Sequence, residues 1–163
     1  MAKKVGFIGL GDIGLPMAKR VVGGGYEVTV CGHVRRAPIE EMKSLGAKEV
    51  ASPKEVAQAS EVTIVMVQTD QQAEEVVLGP DGLLKGVKGG DGIILMGTYA
   101  PAFCKKVAEA AKAKKVQVLD APVVGARMGA EKGTLGISVG GNKDTLEKYR
   151  AVLETMGRIT YCG

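Results

Sequence analysis

The sequence predicts an α/β fold in which helices cover both faces of a mainly parallel sheet. Short apolar segments alternate with amphipathic ones along the 163 residues, and strands that are joined through helices run parallel. The segment 62–67 is apolar at nearly every position, which is typical of a central strand covered on both sides. With 45% hydrophobic and 25% charged residues and no linker or internal repeat, the chain is predicted to be one domain, 1–163.

This alternation assigns each element in turn. A first strand begins at Val5 and leads through a glycine turn into a helix that opens at Gly11 and ends before the glycines at 23–25. The further predicted strands are 27–31, 48–51, 62–67, 92–96, 116–121, 136–140 and 158–162, and the further helices are 39–45, 53–59, 71–78, 101–114 and 143–156. The helix at 53–59 has a strong start signal, because a serine, a proline and a glutamate occupy the cap, the first position and the third position. The order predicts a Rossmann-type, doubly wound sheet.

The first βα unit carries the spacing G-x-G-x-x-G at Gly9, Gly11 and Gly14. Gly9 lets the chain leave the strand with an unrestricted φ, Gly11 lets the backbone approach a pyrophosphate, and Gly14 lets the helix pack close to the strand. The start of the helix then directs unpaired N–H groups and a positive dipole end at the phosphates. This context predicts a dinucleotide site, and a plain glycine-rich turn is the alternative.

The loop after the second strand predicts which dinucleotide is bound. A site selective for NAD places an acidic residue on the adenosine ribose about 20 residues after the glycine motif, but 28–39 contains no carboxylate. Gly32 leaves space, and His33, Arg35 and Arg36 offer groups for a 2′-phosphate. We therefore expect NADP to be preferred over NAD. A solvent-exposed basic loop is the alternative, and for Arg36 alone the two interpretations are equally good.

Composition disfavours several other functions. The net charge of +4 comes with lysines dispersed along predicted helices, and two Phe and four Tyr are the only aromatic residues, so nucleic acid is not an expected partner. Cys31, Cys104 and Cys162 have neither metal-ligand nor disulfide spacing, so we expect reduced packing residues and no metal site. No apolar run approaches 20 residues, and the N-terminus leads directly into the first strand, so we expect a cytoplasmic protein without a membrane partner.

Several further motifs follow one another in order along the whole chain. They are G-F-I-G-L-G-x-x-G-x-P-M-A at 6–18, L-G-A at 45–47, S-P-x-E-V-A at 52–57, G-P-D-G-L-L at 79–84, T-x-x-P at 98–101, D-A-P-V at 120–123 and G-T-L at 133–135. In this order they resemble the N-terminal cofactor domain of β-hydroxyacid dehydrogenases, the group of 3-hydroxyisobutyrate dehydrogenase and of glyoxylate or succinic-semialdehyde reductases. Imine reductases are also similar. The resemblance implies a cofactor domain for hydride transfer.

The resemblance also implies which residues surround the cofactor. They are Leu10, Asp12 and Ile13 in the glycine loop, His33, Val34 and Arg35 around the adenosine ribose, and Val67, Gln68 and Thr98 near the nicotinamide. The glycine-loop residues would act through main-chain groups, and Thr98 would reach the nicotinamide ribose. A core role for Val67 and a helix-capping role for Thr98 are the structural alternatives.

Two features depart from the family pattern. After D-A-P-V the family carries a serine and two glycines that hold the substrate, whereas this chain has Val124, Gly125 and Ala126. Valine offers no hydrogen bond, so we expect either that main-chain donors at Gly125 and Ala126 hold the substrate or that the substrate is not a typical hydroxyacid. A weaker departure is Leu95, which stands where the family usually has an acid.

In the family, a helical domain follows this segment, supplies a lysine and an asparagine for proton transfer, and completes the dimer. We therefore expect the 163 residues to be one domain of a longer, homo-oligomeric oxidoreductase, with no catalytic residue in this segment and little activity alone. The first hypothesis is the NADP(H)-binding domain of an enzyme that acts on a small hydroxyacid or semialdehyde. The alternatives are a non-catalytic NAD(P)-binding module or sensor, and the cofactor domain of an imine reductase.

Overall fold

The computed structural model describes residues 3–32 and 34–163, and its main sheet has six parallel strands in the order β3-β2-β1-β4-β5-β6. The strands are β1 (Lys4–Ile8), β2 (Glu27–Cys31), β3 (Lys48–Val50), β4 (Val62–Val65), β5 (Gly92–Leu95) and β6 (Gln117–Asp120). The chain first builds outwards from β1 to β3 and then returns to add β4 on the other side of β1. Such a reversal leaves a crevice at the carboxyl ends of the two central strands, where ligands bind in doubly wound folds.

Helices connect these strands. They are α1 (Gly14–Gly23), α2 (Ala37–Ser44), α3 (Pro53–Gln58), α4 (Asp70–Leu78), α5 (Pro101–Lys112), α6 (Ala126–Lys132) and α7 (Lys143–Glu154), with a 3-10 turn at Leu83–Lys85. The predicted start of α3 is confirmed, because the Ser52 hydroxyl accepts a hydrogen bond from the Glu55 N–H. Apart from the start of α1, which lies at Gly14 and not at Gly11, the ends of the predicted helices agree with the observed ones to within about two residues, and helix ends commonly fray.

Both faces of the main sheet are buried, as the sequence predicts. Ile94 belongs to a core shared with α1, α2 and α7, whereas its neighbours Ile93 and Leu95 belong to a second core shared with α3, α4 and α5. This alternation follows from the two-residue period of a strand. All four residues of β4 are buried, which confirms its central position.

The last third of the chain departs from the expected single sheet. The predicted strands near 136–140 and 158–162 exist as β8 (Leu135–Val139) and β9 (Gly157–Tyr161), but they form a separate three-stranded sheet with β7 (Val123–Val124). β7 pairs antiparallel with β8, and β8 pairs parallel with β9. The sequence did not predict β7 or α6. A two-residue strand has no visible period, and α6 begins at two positive-φ residues, Gly125 and Ala126, so no helix-start signal is present.

Cys31, Cys104 and Cys162 are free thiols; the first two are half-buried, but Cys162 is exposed and is therefore not a packing residue. In the ranges 3–32 and 34–163, none of the helices has the length and apolar character needed to cross a membrane. The same ranges contain no group of three or more His, Cys, Asp or Glu residues placed to hold a metal ion.

Candidate functional site

Two glycines of the G-x-G-x-x-G motif are required by the fold itself. Gly9 has a φ of +108°, and a Cβ at this position would lie 2.3 Å from the main-chain oxygen of Met66. A Cβ on Gly14 would lie 1.7 Å from the main-chain oxygen of Gly9. Both values are far below contact distance, so α1 approaches β1 and the end of β4 as closely as backbone allows. This confirms the predicted structural reasons for both glycines.

Gly11 is different, because a Cβ there would meet no atom within 4 Å. The fold therefore does not require glycine at this position, and the space over it is open. A ligand that lies against this backbone would supply the missing reason. A pyrophosphate is such a ligand, since it needs main-chain N–H groups at close range.

The N-terminus of α1 is suited to an anion. The sequence predicted that the helix opens at Gly11, but Gly11, Asp12 and Ile13 form a turn, in which Gly11 accepts from the Leu15 N–H at 3.0 Å, and the helix begins at Gly14. Its N-cap, Ile13, provides no side-chain cap, and no acidic residue lies in its first turn. In α4, by contrast, Thr69 and Gln72 form a complete capping box. The first N–H groups of α1 thus face no capping side chain, which leaves them to an anionic ligand.

A cleft of about 550 Å³ lies over this turn. Leu10, Gly11 and Asp12 line it together with Arg35 from the loop after β2 and Arg127 from α6. The carboxylate of Glu131, and more weakly that of Asp12, raise the pKa of the Arg127 guanidinium. The cleft therefore joins the predicted pyrophosphate and ribose loops, and it includes α6, which the sequence did not predict. The side chains of Lys19, Arg20, Arg35 and Arg127 give its lining four cationic donors.

The loop after β2 contains the residues predicted for the adenosine ribose. His33 lies outside the described residues. Val34 is 83% exposed, and Arg35 is exposed on the wall of the cleft. Arg36 is engaged with carboxylates: its Nη1 donates to Glu49 Oε2 at 2.5 Å and its Nη2 donates to Glu49 Oε1 at 2.9 Å.

This ion pair occupies the space that Gly32 was expected to leave open. A Cβ on Gly32 would lie 2.7 Å from Arg36 Nη1 and 3.0 Å from Glu49 Oε2. Arg36 also donates to Glu40 Oε1 at 2.8 Å, and the Lys43 ammonium lies 3.5 Å from Glu49. Hydrogen bonding from Arg36 lowers the pKa of Glu49 to about 2, and the same contacts raise the pKa of Arg36.

The predicted nicotinamide side is built from the loops after β4 and β5. The Tyr99 hydroxyl donates to the main-chain oxygen of Val67 at 2.7 Å, and burial raises the pKa of this tyrosine. The Asp70 carboxylate accepts from the Ala100 N–H at 3.3 Å. These two hydrogen bonds tie the loops together. Val67 lies beside the glycine loop, because a Cβ on Gly9 would come within 3.0 Å of its nitrogen.

Thr98 and Gln68 are both exposed on this side of the molecule. Thr98 does not cap α5, whose N-cap is Ala100 and makes no side-chain cap hydrogen bond. The capping alternative for Thr98 is therefore wrong. Val67 is only half-buried, so it is not purely a core residue.

The segment expected to hold the substrate connects β7 to α6. Val124 is 73% exposed, and Gly125 and Ala126 have φ values of +129° and +54°. A left-handed conformation at a residue with a Cβ costs roughly 1–2 kcal/mol, so Ala126 stores strain at the position where the resembled family has glycine. The main-chain N–H groups of Gly125 and Ala126 thus occupy an unusual turn at the start of a helix next to the cleft.

Asp120, at the carboxyl end of β6, is the acidic group nearest to this segment in the sequence. Its main chain pairs with Gly140 through hydrogen bonds of 2.8 and 3.0 Å. Burial raises the pKa of its carboxyl group, and a hydrogen bond from the Cys104 thiol opposes that rise. The Cys104 thiol in turn has a pKa raised to about 11, chiefly by burial.

Sequence reasoning missed two contributors to this site, Glu49 and Arg127. Glu49 lies far from the second strand in the sequence, 22 residues after Glu27. It lies beside Gly32 only because β3 pairs with β2. Arg127 was missed because α6 was not predicted. Glu49 could have been identified if the third predicted strand had been paired with the second, since parallel neighbours end at the same edge of a sheet.

The sheet order, the crevice and the glycine loop define a dinucleotide-binding domain of the Rossmann class. The family model that describes the NAD-binding domain of 6-phosphogluconate dehydrogenase matches residues 4–163. The chain belongs to this family.

Similar proteins support the same assignment. The NAD-dependent L-serine dehydrogenase of Pseudomonas aeruginosa is 37% identical over 156 residues, which are 96% of this chain and 52% of that protein. The solved 3-hydroxyisobutyrate dehydrogenase of Mycobacterium tuberculosis with L-serine has a TM-score of 0.91 and 29% identity, over 100% of this chain and 55% of that one. The imine reductase of Myxococcus stipitatus with NADP+ has a TM-score of 0.87 at 20% identity, over 98% and 55% of the two chains, which shows the fold alone. The chain thus spans about half the length of the relatives it matches.

The geometry of the glycine loop predicts opposite effects for two substitutions. We expect Gly11→Val to leave the fold intact and to abolish binding of NADPH, because its side chain enters open space where the pyrophosphate would lie. We expect Gly14→Ala to destabilise the fold, because its Cβ meets the main chain of Gly9. Circular dichroism with thermal unfolding, followed by calorimetric titration of NADPH, separates the two effects. Unfolding of Gly11→Val would contradict the assignment of Gly11 to the ligand.

The ion pair at Glu49 predicts a pH dependence of stability. The folded-state pKa of Glu49, about 2, lies below its ordinary value of 4.5, so its contribution is complete above pH 4.5 and is lost as the pH falls towards 2. We expect the unfolding free energy of the wild type to fall more steeply in this window than that of Arg36→Gln. Urea unfolding at pH 5, 4, 3 and 2.5 measures the difference. Parallel pH profiles would show that the pair contributes nothing.

Proposed function

We propose that this chain is the NADP(H)-binding domain of an oxidoreductase that transfers a hydride to or from a small hydroxyacid or semialdehyde. The observation that carries the proposal is the open space over Gly11 beside the uncapped N-terminus of α1. Backbone donors at a helix N-terminus, with no side chain above them, are what a pyrophosphate requires. Membership of the family of NAD-binding domains supports the same ligand.

In this proposal, three loops bind different parts of the cofactor. The turn Gly11–Ile13 and the first N–H groups of α1 hold the pyrophosphate. Arg35 meets the 2′-phosphate, because it is exposed on the cleft wall while Glu40 and Glu49 engage Arg36. The nicotinamide riboside is oriented by Val67, Gln68 and Thr98. The hydrogen bond from the Tyr99 hydroxyl to the Val67 carbonyl holds Val67 in place.

The bound nicotinamide supplies or accepts the hydride, and the protein supplies orientation. The substrate is held from the segment between β7 and α6. Main-chain N–H groups of Gly125 and Ala126 donate to its polar group, since the side chain of Val124 has nothing to donate. The strained φ of Ala126 supports this role, because strained backbone is common where a ligand is bound.

The exposed Val124 favours a second candidate. An apolar side chain that is 73% exposed at the substrate segment suits a less polar substrate, as an imine would be, or a module that binds the cofactor without catalysis. Turnover with cyclic imines but not with hydroxyacids would favour the first of these alternatives. Cofactor binding without turnover of any substrate in the full-length protein would favour the second.

Relatives about twice as long as this chain support a further part of the proposal. The full-length protein would carry a helical domain that supplies the proton-transferring group, covers the nicotinamide and forms a homo-oligomer. This domain would exclude water from the site of hydride transfer. The proposed small-molecule substrate would then lie between the two domains.

We expect NADPH to bind at least tenfold more tightly than NADH. A charge-assisted hydrogen bond to the 2′-phosphate contributes roughly 1.5–3 kcal/mol. Arg35→Ala should weaken binding of NADPH while leaving that of NADH nearly unchanged, and Arg150→Ala, which removes a partly exposed arginine of α7 paired with Glu147, should change neither. Calorimetric titration of both cofactors measures this. Equal affinities in the wild type would refute the NADP preference.

The 163-residue chain saturated with NADPH should give no measurable hydride transfer to hydroxyacids or semialdehydes. Loss of a general acid removes about two to four orders of magnitude in rate, and Val124 gives the substrate no polar anchor. Absorbance of NADPH at equal cofactor saturation measures turnover, with the full-length protein as the positive control. Robust turnover by the short chain would require an acid within it, and Asp120→Asn would then be the first variant to test.

A further inference from the structure

An acidic residue of the neighbouring strand, Glu49, lies beside the end of β2. β2 and β3 are parallel, and Val30 lies opposite Glu49. Gly32 follows directly after β2, and Glu49 Oε2 lies 3.0 Å from the position that a Cβ on Gly32 would occupy. The side chain of Glu49 is only 23% exposed. A carboxylate therefore lies beside the residue where an NAD-selective site has one, although the sequence has none there.

Glu49 does not present this carboxylate freely. Both of its oxygens accept hydrogen bonds from Arg36, at 2.5 and 2.9 Å, which is the two-pronged geometry of strong arginine–carboxylate pairs. Arg36 donates in addition to Glu40, so two carboxylates surround one guanidinium. The Arg36 side chain remains 52% exposed, so it is accessible from solvent.

We propose that Glu49 sets the cofactor preference of this domain by holding Arg36 in an ion pair and so withholding it from the 2′-phosphate. The proposal rests on the proposed function, in which the loop after β2 surrounds the adenosine ribose. A 2′-phosphate near Gly32 meets an arginine whose charge is already compensated, together with the charge of Glu49 itself. The preference for NADPH then depends on Arg35 and is smaller than the number of basic residues in the loop suggests.

Release of Arg36 tests the proposal. Glu49→Gln keeps the size and shape of the side chain and removes its charge, so Arg36 becomes available to the phosphate. We expect NADPH to bind about five- to tenfold more tightly, which is the low end for a charge-assisted hydrogen bond because the Arg36 side chain is 52% exposed. NADH should change by less than twofold. The measured quantity is the ratio of the two dissociation constants, obtained by calorimetry on one preparation, so partial loss of folded protein cancels.

Two further variants make the result specific. Arg36→Gln combined with Glu49→Gln should bring the affinity for NADPH back to the wild-type value or below it, since no guanidinium is then released. Glu147→Gln is the matched control, because Glu147 also accepts two hydrogen bonds from one arginine, Arg150, at 3.0 and 2.8 Å on α7. It removes the same charge and should leave the ratio unchanged.

Other outcomes overturn the proposal. An unchanged ratio in Glu49→Gln, with both cofactors still bound, refutes the role of Glu49 and leaves the proposed function standing. A loss of affinity for NADH without a gain for NADPH shows that Glu49 contacts the ribose directly, which also refutes it. If the wild-type chain binds neither cofactor, the proposed function fails and this inference fails with it.

Discussion

The close approach of α1 to the two central strands is the constraint on which the rest of this molecule depends. A single methyl group at Gly9 or Gly14 would overlap main-chain atoms, at 2.3 Å from the Met66 oxygen and 1.7 Å from the Gly9 oxygen respectively. The backbone of the glycine loop therefore serves as packing surface. Because α1 lies so close to the sheet, its N-terminus opens directly at the crevice between β1 and β4, where the strand order reverses.

The loops after β4 and β5 contribute further residues to the candidate site, whose position is determined by α1. After β4 and β5, the loops are held by main-chain acceptors and donors: Tyr99 bonds to the Val67 carbonyl, and Asp70 accepts from the Ala100 N–H. Such bonds fix loop backbone while leaving the exposed side chains of Gln68 and Thr98 available to a ligand. Binding residues on loops that a rigid sheet positions are typical of α/β proteins.

The sequence predicts the main sheet well because each of its signals is local. The alternation of apolar segments, the cap at Ser52 and the structural roles of Gly9 and Gly14 all depend on one element or one turn, and each was confirmed. The second sheet was not foreseen, because β7 has only two residues and the φ of Ala126 is one that an alanine rarely adopts. The pairing of β7 and the conformation of Ala126 depend on tertiary packing, which local sequence propensity does not reveal.

The ribose loop shows the same limit in chemical terms. Counting charges in 32–36 gives a basic loop, and the sequence alone leaves Arg36 equally suited to solvent or phosphate. The structure adds Glu49, which lies 13 residues away in the chain and becomes a neighbour only through the pairing of β2 with β3. Whether an arginine is available to a ligand thus depends on the strand order of the sheet.

The glycine contacts and the charge pairs around the cleft differ in how well they tolerate substitution. The contacts of Gly9 and Gly14 involve main-chain atoms at distances that tolerate no substitution, so the proposed pyrophosphate end of the site is fixed by packing. The charges around it form exposed pairs, such as Lys19 with Glu41 and Arg127 with Glu131, and solvent screening leaves pairs of this kind with little effect on stability. A ligand phosphate or a single substitution can therefore exchange partners within such pairs at little cost in stability. In the proposed function, rigid backbone would therefore bind the dinucleotide, whereas surface charges that can change independently of the fold would discriminate between dinucleotides.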